Sequence, residues 1–346
     1  MILFVALAIF AVAGAFFIHR ALNTPWKGWE GDQAIIEIEK GSSTRAALAE
    51  LESEGMLRDH FVPLIYMTVV KPRASIKAGR YAFTEESTPL AVIDKLVRGD
   101  TLLDSITIRE GLDRFAIAEI MEKSGFGTRE EWLEQTSRTD LIRDLSPEAT
   151  SLEGYLFPDT YNITPGTPVS RIVALMVDNF RRQFGDELAY ISTDLSVHET
   201  VTLASIVELE ARLPEERPVI AGVYHNRVNK GMLLQADPSV IYALKLDGRW
   251  DGNIRKADLS MDSPYNTYRS RGLPPGPIAN PGIASLTAAA QPTETEYYYF
   301  VSRNDGSHVF SKNLADHNRN VQQFQRDYWR DKRLTESKKA REPSTR

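Results

Sequence analysis

The sequence predicts an α+β protein built from an N-terminal transmembrane helix, a small βααβ module and a larger mixed α+β domain. Three observations predict it. Residues 2–18 carry no charged or strongly polar side chain. Short β-type runs alternate with amphipathic helical patterns, with glycine turns between them. The chain has 346 residues and a 42% apolar share, enough for a sizeable core and for about two domains.

Taken in order, Ile2 to Ile18 approaches the roughly 20 apolar residues that span a bilayer. Residues 1–19 therefore read as an uncleaved anchor. A signal peptide competes through the small-residue site Ala11-Val12-Ala13, but it lacks a charged leading region. Only the amino terminus precedes the span, so charge does not orient it. Either reading carries the remaining chain across the membrane, unless Arg20 and Lys27 hold it inside. Residues 20–33 form a polar linker.

From Ala34 the pattern AIIEIEKGSSTRAALAELESEGM reads as strand, glycine turn and amphipathic helix. A helix at Phe61 to Val70 and a strand at Gly79 to Phe83 complete a βααβ module over residues 34–101, with a further helix at Pro89 to Val97. Ile36, Ile38, Gly41 and Gly55 recur as Ile106, Ile108, Gly111 and Gly125. One recurrence suggests two related βα units rather than a solenoid, which needs three or more repeats. The second copy, residues 102–145, joins the module to the larger domain, residues 146–332.

That domain opens with a loop, Ser146 to Ser151, leading to EGYLFPDTY, Glu153 to Tyr161, which reads as a cleft wall. The helix Val169 to Phe184 is expected to pack on the next one, HETVTLASIVELEARL, His198 to Leu213. Ser196 and Glu199 form a capping box at the start of that second helix, and Pro214 should stop it. Another helix, Glu215 to Asn229, closes at Lys230 and Gly231. Asp237 before Pro238 reads foremost as a helix cap. Ser263 to Gly282 is rich in proline and glycine and is irregular but stiff. A small-residue helix, Ala284 to Ala290, the strand YYYFVSR, a turn at Asn304 to Gly306, a strand at His308 to Phe310 and a helix from Leu314 to about Asp331 follow. The polar tail, residues 333–346, is expected to be disordered.

Composition removes several functions. The net charge of −6 is mild and mixed in sign, which gives no reason to expect nucleic acid. The chain has no cysteine, which excludes disulfides and thiolate metal sites. His308 and His317 fall short of a metal site, and no H-E-x-x-H, G-x-S-x-G, P-loop or G-x-G-x-x-G appears. Acid–base chemistry by a carboxyl group is left. Glu208 and Glu210 stand about 200° apart around one helix and cannot share an environment. Glu208 precedes Arg212 in the favourable ion-pair order and should stay ionised. Glu210, among Ile206, Val207, Leu213 and Pro214, should have a raised pKa and act as a general acid, unless it merely points into water at the helix end. The stiff loop carries Tyr265, Asn266, Tyr268 and Asn280, and rings and amides of this kind suit a sugar site.

The order of elements over Ala34 to Phe83 resembles a LysM-type module, a fold associated with N-acetylglucosamine-containing glycans. An alternative is that it only spaces the larger domain from the membrane. The N-terminal span, LASIVELEA, NR-x-x-x-GM-x-LQADPSVIYAL, YNTY followed by GLPPGPIANPG, and the late GSHVFS and HN elements together resemble the endolytic murein transglycosylase family (MltG, YceG-like). The resemblance covers nearly the whole chain. It implies a lyase that cuts the MurNAc-GlcNAc β-1,4 bond of nascent peptidoglycan strands and leaves 1,6-anhydro-MurNAc ends, without cofactor or metal. It also implies a single-pass protein of the cell (inner) membrane with its catalytic domain on the outer side, beside peptidoglycan polymerases. Glu210 matches the catalytic second glutamate of the family's run. Leu209 replaces a lysine frequent between the two glutamates, and Ala211 also departs from the pattern. The candidate substrate-binding set is Glu153, Tyr155, Gln235, Asp237, Tyr265, Asn266, Tyr268, Asn280 and His308. A hydrolase with Glu153 or Asp237 as second carboxylate, and a non-catalytic wall-binding or division scaffold, are the alternatives.

Overall fold

The computed structural model describes residues 2–188, 191, 193–328 and 330. The chain forms two compact units, Met1–Ile106 with Tyr161–Thr167, and Thr107–Thr160 with Pro168–Arg346. Of the segment 102–145, expected to join the two domains, residues 102–106 fall in the first unit and 107–145 in the second.

The first unit holds α1 (Ile2–Asn23), β1 (Ala34–Ile38), α2 (Thr44–Ser53), α3 (Phe61–Val69), β2 (Gly79–Phe83) and α4 (Pro89–Arg98). Strands β1 and β2 pair antiparallel with Ile36 opposite Tyr81. Because side chains alternate along a strand, Ile36 and Ile38 enter the core while Ile35 is 55% exposed. They meet Leu48 and Leu51 of α2, Tyr81 and Phe83 of β2, and Ile93 and Leu96 of α4. The βααβ order expected from the sequence is present. Helix α1 packs on α3 and α4, and its Leu22 is buried. Among the described residues no helix is long and apolar enough to cross a membrane, and the span expected over Ile2 to Ile18 is not shown.

The repeat is structural as well as sequential. Strand β3 (Asp104–Ile108) and α5 (Arg114–Lys123) reproduce β1 and α2 seventy positions on. Gly41 and Gly111 make the same turn at φ 92° and 77°, a left-handed conformation that favours glycine. Ser43 and Asp113 then cap the following helices by accepting from the amides of Ala46 and Ala116. A short helix, α6 (Arg129–Gln135), which the sequence reading lacked, starts at a capping box made by Thr128 and Glu131. Strand β4 (Asp159–Ile163) pairs with β3, so the end of EGYLFPDTY is a strand, and its earlier part is buried rather than lining a cleft.

The second unit continues with α7 (Val169–Leu188), α8 (Val197–Glu210), α9 (Arg217–Asn229), α10 (Asp237–Leu246), α11 (Ile283–Ala290), the hairpin β5 (Tyr299–Ser302) and β6 (His308–Ser311), and α12 (Leu314–Val321). Helix α12 runs on as a wider π-helical turn over Gln322–Asp327. The tail, residues 333–346, lies outside the described residues. From His198 to Val207 every residue of α8 but the capping Glu199 is buried, which explains its lack of a broad polar face. Helix α11 is the hub. Its Ser285, Ala288, Ala289 and Ala290 are small and buried, which lets it pack on α7, α8 and α9 at once. Helix α7, expected directly against α8, instead packs on α11 and α6.

Candidate active site

Helix α8 begins at the expected capping box of Ser196 and Glu199. It ends earlier than expected. Glu210 is the last helical residue, and Ala211 turns the chain extended at φ −81°, ψ 114°. Leu213 and Pro214 are therefore not helical neighbours of Glu210, and its surroundings come from other elements.

One face of α8 carries the proline-rich loop. His198 Nε2 donates to the Pro275 carbonyl (2.8 Å), and Nδ1 faces the hydroxyls of Ser146 (2.8 Å) and Tyr155 (3.0 Å). Since a carbonyl only accepts, the ring proton sits on Nε2. Lower on the same face the Ser205 hydroxyl accepts from the Ile278 amide (3.0 Å), and the Glu208 carboxylate accepts from the Gly282 amide (3.1 Å). Gly154 fits between this face and the loop. At φ 87° a Cβ there would stand 2.5 Å from Pro277 and 2.7 Å from Val201. Positions 198, 201, 205 and 208 form a single helical stripe, and Glu210 projects from another side of the helix.

Glu208 pairs with Arg217 at the start of α9 (3.3 Å), with side chains only 6% and 13% exposed respectively. The expected partner, Arg212, is exposed and lines the cavity beside Glu210 instead. Helical spacing alone had suggested Arg212, but α8 stops before reaching it.

Glu210 is half-buried on a cavity of about 490 Å³ shared with Leu209, Arg212, Ser302, Asn304, His308 and Tyr328. Burial, and then the negative charge of Asp237, push its pKa up to about 7, while a hydrogen bond with Tyr224 and the charge of Arg227 hold it back. Tyr224 and Arg227 lie one turn apart on α9. Burial and the nearby Glu210 hold the Tyr224 hydroxyl well above its usual range, so it stays a donor. Arg227 donates to the carbonyls of Tyr298 (2.6 Å) and Leu234 (2.6 Å), tying the residue before β5 to the segment before Gln235.

Gln235 is held by its neighbours. Leu234 and Ala236 are fully buried, and the Gln235 amide donates to the Thr267 carbonyl (3.1 Å). Its own side chain is exposed, at a left-handed φ of 53° that a side chain rarely adopts. Asp237 does not cap α10. Ala236 occupies the cap position, and the exposed Asp237 accepts a hydrogen bond from the Tyr268 hydroxyl (2.5 Å). Proline at the next position supplies the helical φ without a side-chain cap.

His308 stands opposite Ser302 in the β5–β6 hairpin, and both line the Glu210 cavity. Glu216 anchors it through the His308 backbone amide (2.8 Å) and Nδ1 (2.6 Å).

The remaining candidates belong to the frame. Glu153, 2% exposed, accepts from the Arg114 amide (3.0 and 3.1 Å) and from Asn280 Nδ2 (2.9 Å). Asn280 also accepts from the Leu156 amide and donates to the Leu112 carbonyl. Asn266 donates to the carbonyls of Leu259 and Met261 and accepts from the Tyr268 amide, which holds the loop in shape. Tyr155 is fully buried against Phe180 and His198, and Tyr265 packs on Tyr242. Local pattern could not distinguish these roles, because an amide reads the same whether it faces a sugar or its own backbone.

Sequence reasoning gave no role to His198, Glu216, Tyr224 or Arg227. The one signal available was that polar residues interrupt otherwise apolar helices. His308 is engaged by Glu216, and His317 stacks on Tyr299. Among the described residues the one grouping with metal-ligand geometry is Glu52, Asp59 and His60, in the first unit. Its members are already committed, Glu52 to His60 and Asp59 to the start of α3.

The arrangement sets a carboxyl with a raised pKa on a cavity walled by the end of α8 and the β5–β6 hairpin. Residues 36–323 match the YceG-like family, and the chain belongs to that family. It is 31% identical over 332 residues to the endolytic murein transglycosylase of Bacillus subtilis, covering 90% of this chain and 91% of that one. It is 29% identical to the endolytic murein transglycosylase of Streptococcus pneumoniae strain D39, covering 92% of this chain but only 63% of that longer protein. The crystal structure of a yceG-like protein from Listeria monocytogenes superimposes with a TM-score of 0.55 at 30% identity, over 83% of this chain and 98% of that one.

Proposed function

We propose that this chain is an endolytic lytic transglycosylase that cuts the MurNAc-GlcNAc β-1,4 bond of peptidoglycan strands, with Glu210 as acid and then base. The observation that carries the reading is the Glu210 carboxyl, raised to about 7 and opening onto a cavity. Protonated Glu210 donates to the glycosidic oxygen as the bond to the anomeric carbon of MurNAc breaks. The resulting carboxylate takes the proton of the same sugar's C6 hydroxyl while that oxygen bonds to the anomeric carbon. The carboxyl is regenerated, the ring closes as 1,6-anhydro-MurNAc, and neither water nor cofactor enters. Gln235, Asp237, Tyr268 and His308 are the candidates to contact the glycan. Glu153, Tyr155, Tyr265, Asn266 and Asn280 hold the frame. Helix α1 serves as a single-pass anchor in the cell membrane with the catalytic unit on its outer side, near peptidoglycan polymerases. The βααβ module is LysM-like.

Asp237 favours one competing reading. It is an exposed carboxylate close enough to raise the pKa of Glu210, as the second group of a hydrolase would be. Digestion of purified glycan strands followed by mass analysis decides. Anhydro ends, lighter by one water, are expected; reducing ends would establish a hydrolase, and binding without release of fragments a scaffold.

A further inference from the structure

A cavity of about 500 Å³ at the foot of α1, within the first unit, plays no part in that chemistry. Phe17, Arg20 and Ala21 line it from one face of α1, and Thr24 just past the end of α1 continues that side. Trp26, and Arg58 and Val62 at the entry to α3, stand among its other walls. The Arg58 guanidinium lies 5.7 Å from the Trp26 ring centre. Asp59 also borders the cavity, but its carboxylate accepts from the amides of Phe61 (3.1 Å) and Val62 (3.1 Å) and so serves the start of α3. Neither Arg20 nor Arg58 has a carboxylate partner among the described residues.

Large apolar side chains stay exposed on both helices that meet here. On α1, Phe10 is 79%, Phe16 66% and Phe17 65% exposed; on α3, Phe61 is 58% and Val69 71% exposed. Phe61, Ile65 and Val69 recur every four residues and share a face. Surfaces facing only water rarely leave so many large apolar groups uncovered. Paired arginines, a tryptophan and flanking apolar residues match a bilayer interface, where aromatic rings sit at headgroup level and cations meet anionic lipid.

We propose that this cavity takes the phosphate headgroup of an anionic phospholipid. Arg20 and Arg58 supply the positive charge, Trp26 forms the amphipathic wall, and the Phe61–Val69 face of α3 rests at the acyl boundary. The proposal rests on the anchor reading of α1, which places the cavity at the membrane surface.

The test uses the full chain in neutral detergent, titrated with short-chain phosphatidylglycerol, short-chain phosphatidylcholine or inorganic phosphate. Phosphatidylglycerol is expected to bind most tightly. The double variant Arg20→Gln/Arg58→Gln should weaken it about thirtyfold, roughly fivefold for each arginine, with an unchanged thermal melt. Equal binding of the two lipids, or no loss in the variant, overturns the proposal. Phosphate binding as tightly as phosphatidylglycerol would make this a free-anion site and overturns the lipid reading. Alkaline extraction of the full chain from membranes tests the anchor separately, because its outcome does not depend on the two arginines.

Discussion

Glu153 and Glu210 both hold their protons toward neutral pH, yet their surroundings differ. Burial, then the charge of Asp113, push Glu153 up to about 8; burial, then Asp237, push Glu210 up to about 7. Glu153 is enclosed, and its oxygens are used by the Arg114 amide and by Asn280. Glu210 opens onto a cavity. A raised pKa therefore marks a buried carboxyl, and access decides whether the proton can reach a substrate.

The largest expected effect separates these two groups. Glu210→Gln should lower strand cleavage by about 10²-fold or more while folding is retained. Its thermal stability above pH 7 should rise, because a carboxyl whose folded pKa is raised destabilises the fold as pH climbs from its ordinary value through about 7. Glu153→Gln should do the reverse. It sets amide hydrogens against donors, costs on the order of 1–3 kcal/mol, and should lower the melting temperature by several degrees while the folded fraction still cleaves. Melts and digestions on the same preparations check both. A pair of variants that lose activity and stability together would break the comparison.

A smaller effect tests the cause of the raised pKa. In the proposed mechanism protonated Glu210 is the acid, and that form is lost as pH rises through about 7, so kcat/KM should fall on the alkaline side. Asp237→Asn removes the charge that disfavours the carboxylate. The alkaline limb should then move to lower pH, by about one unit or less. An unchanged pH profile would show that Asp237 does not act on Glu210.

Sequence showed the local devices and missed those made by distant groups. The capping box at Ser196 and Glu199, the turn at Gly41 with its repeat at Gly111, and the βααβ order are set within a few residues, and all are present. The partner of Glu208 is Arg217, nine residues on, with the Gly282 amide 74 residues on; helical periodicity could offer only Arg212. The environment of Glu210 was expected to be apolar from Leu213 and Pro214. Burial does raise its pKa most, and the rest is set by Asp237, Tyr224 and Arg227, which the fold brings together. The stiff loop was legible, but its seat against α8 through His198, Ser205 and Glu208 was not, because no single segment contains both partners.

The smallest expected effect repeats the contrast between committed and available groups with amides in place of acids. Asn266 is fully buried and supports the carbonyls of Leu259 and Met261, so Asn266→Ala should lower the melting temperature first, with activity following it. Gln235 presents its side chain outward from a backbone at φ 53° between two buried neighbours. A left-handed conformation costs a residue with a Cβ roughly 1–2 kcal/mol, and glycine almost nothing. Gln235→Gly therefore removes the amide and relieves the strain in one step. Stability should hold or rise, while KM for glycan strands increases about three- to tenfold with kcat little changed, as expected when a contact made equally in ground and transition states is lost. Gln235→Asn keeps an amide in a residue type that tolerates this conformation, and it should recover part of the KM. A Gln235→Gly variant that melts lower, or that cleaves strands with unaltered KM, would place Gln235 with Asn266 in the frame.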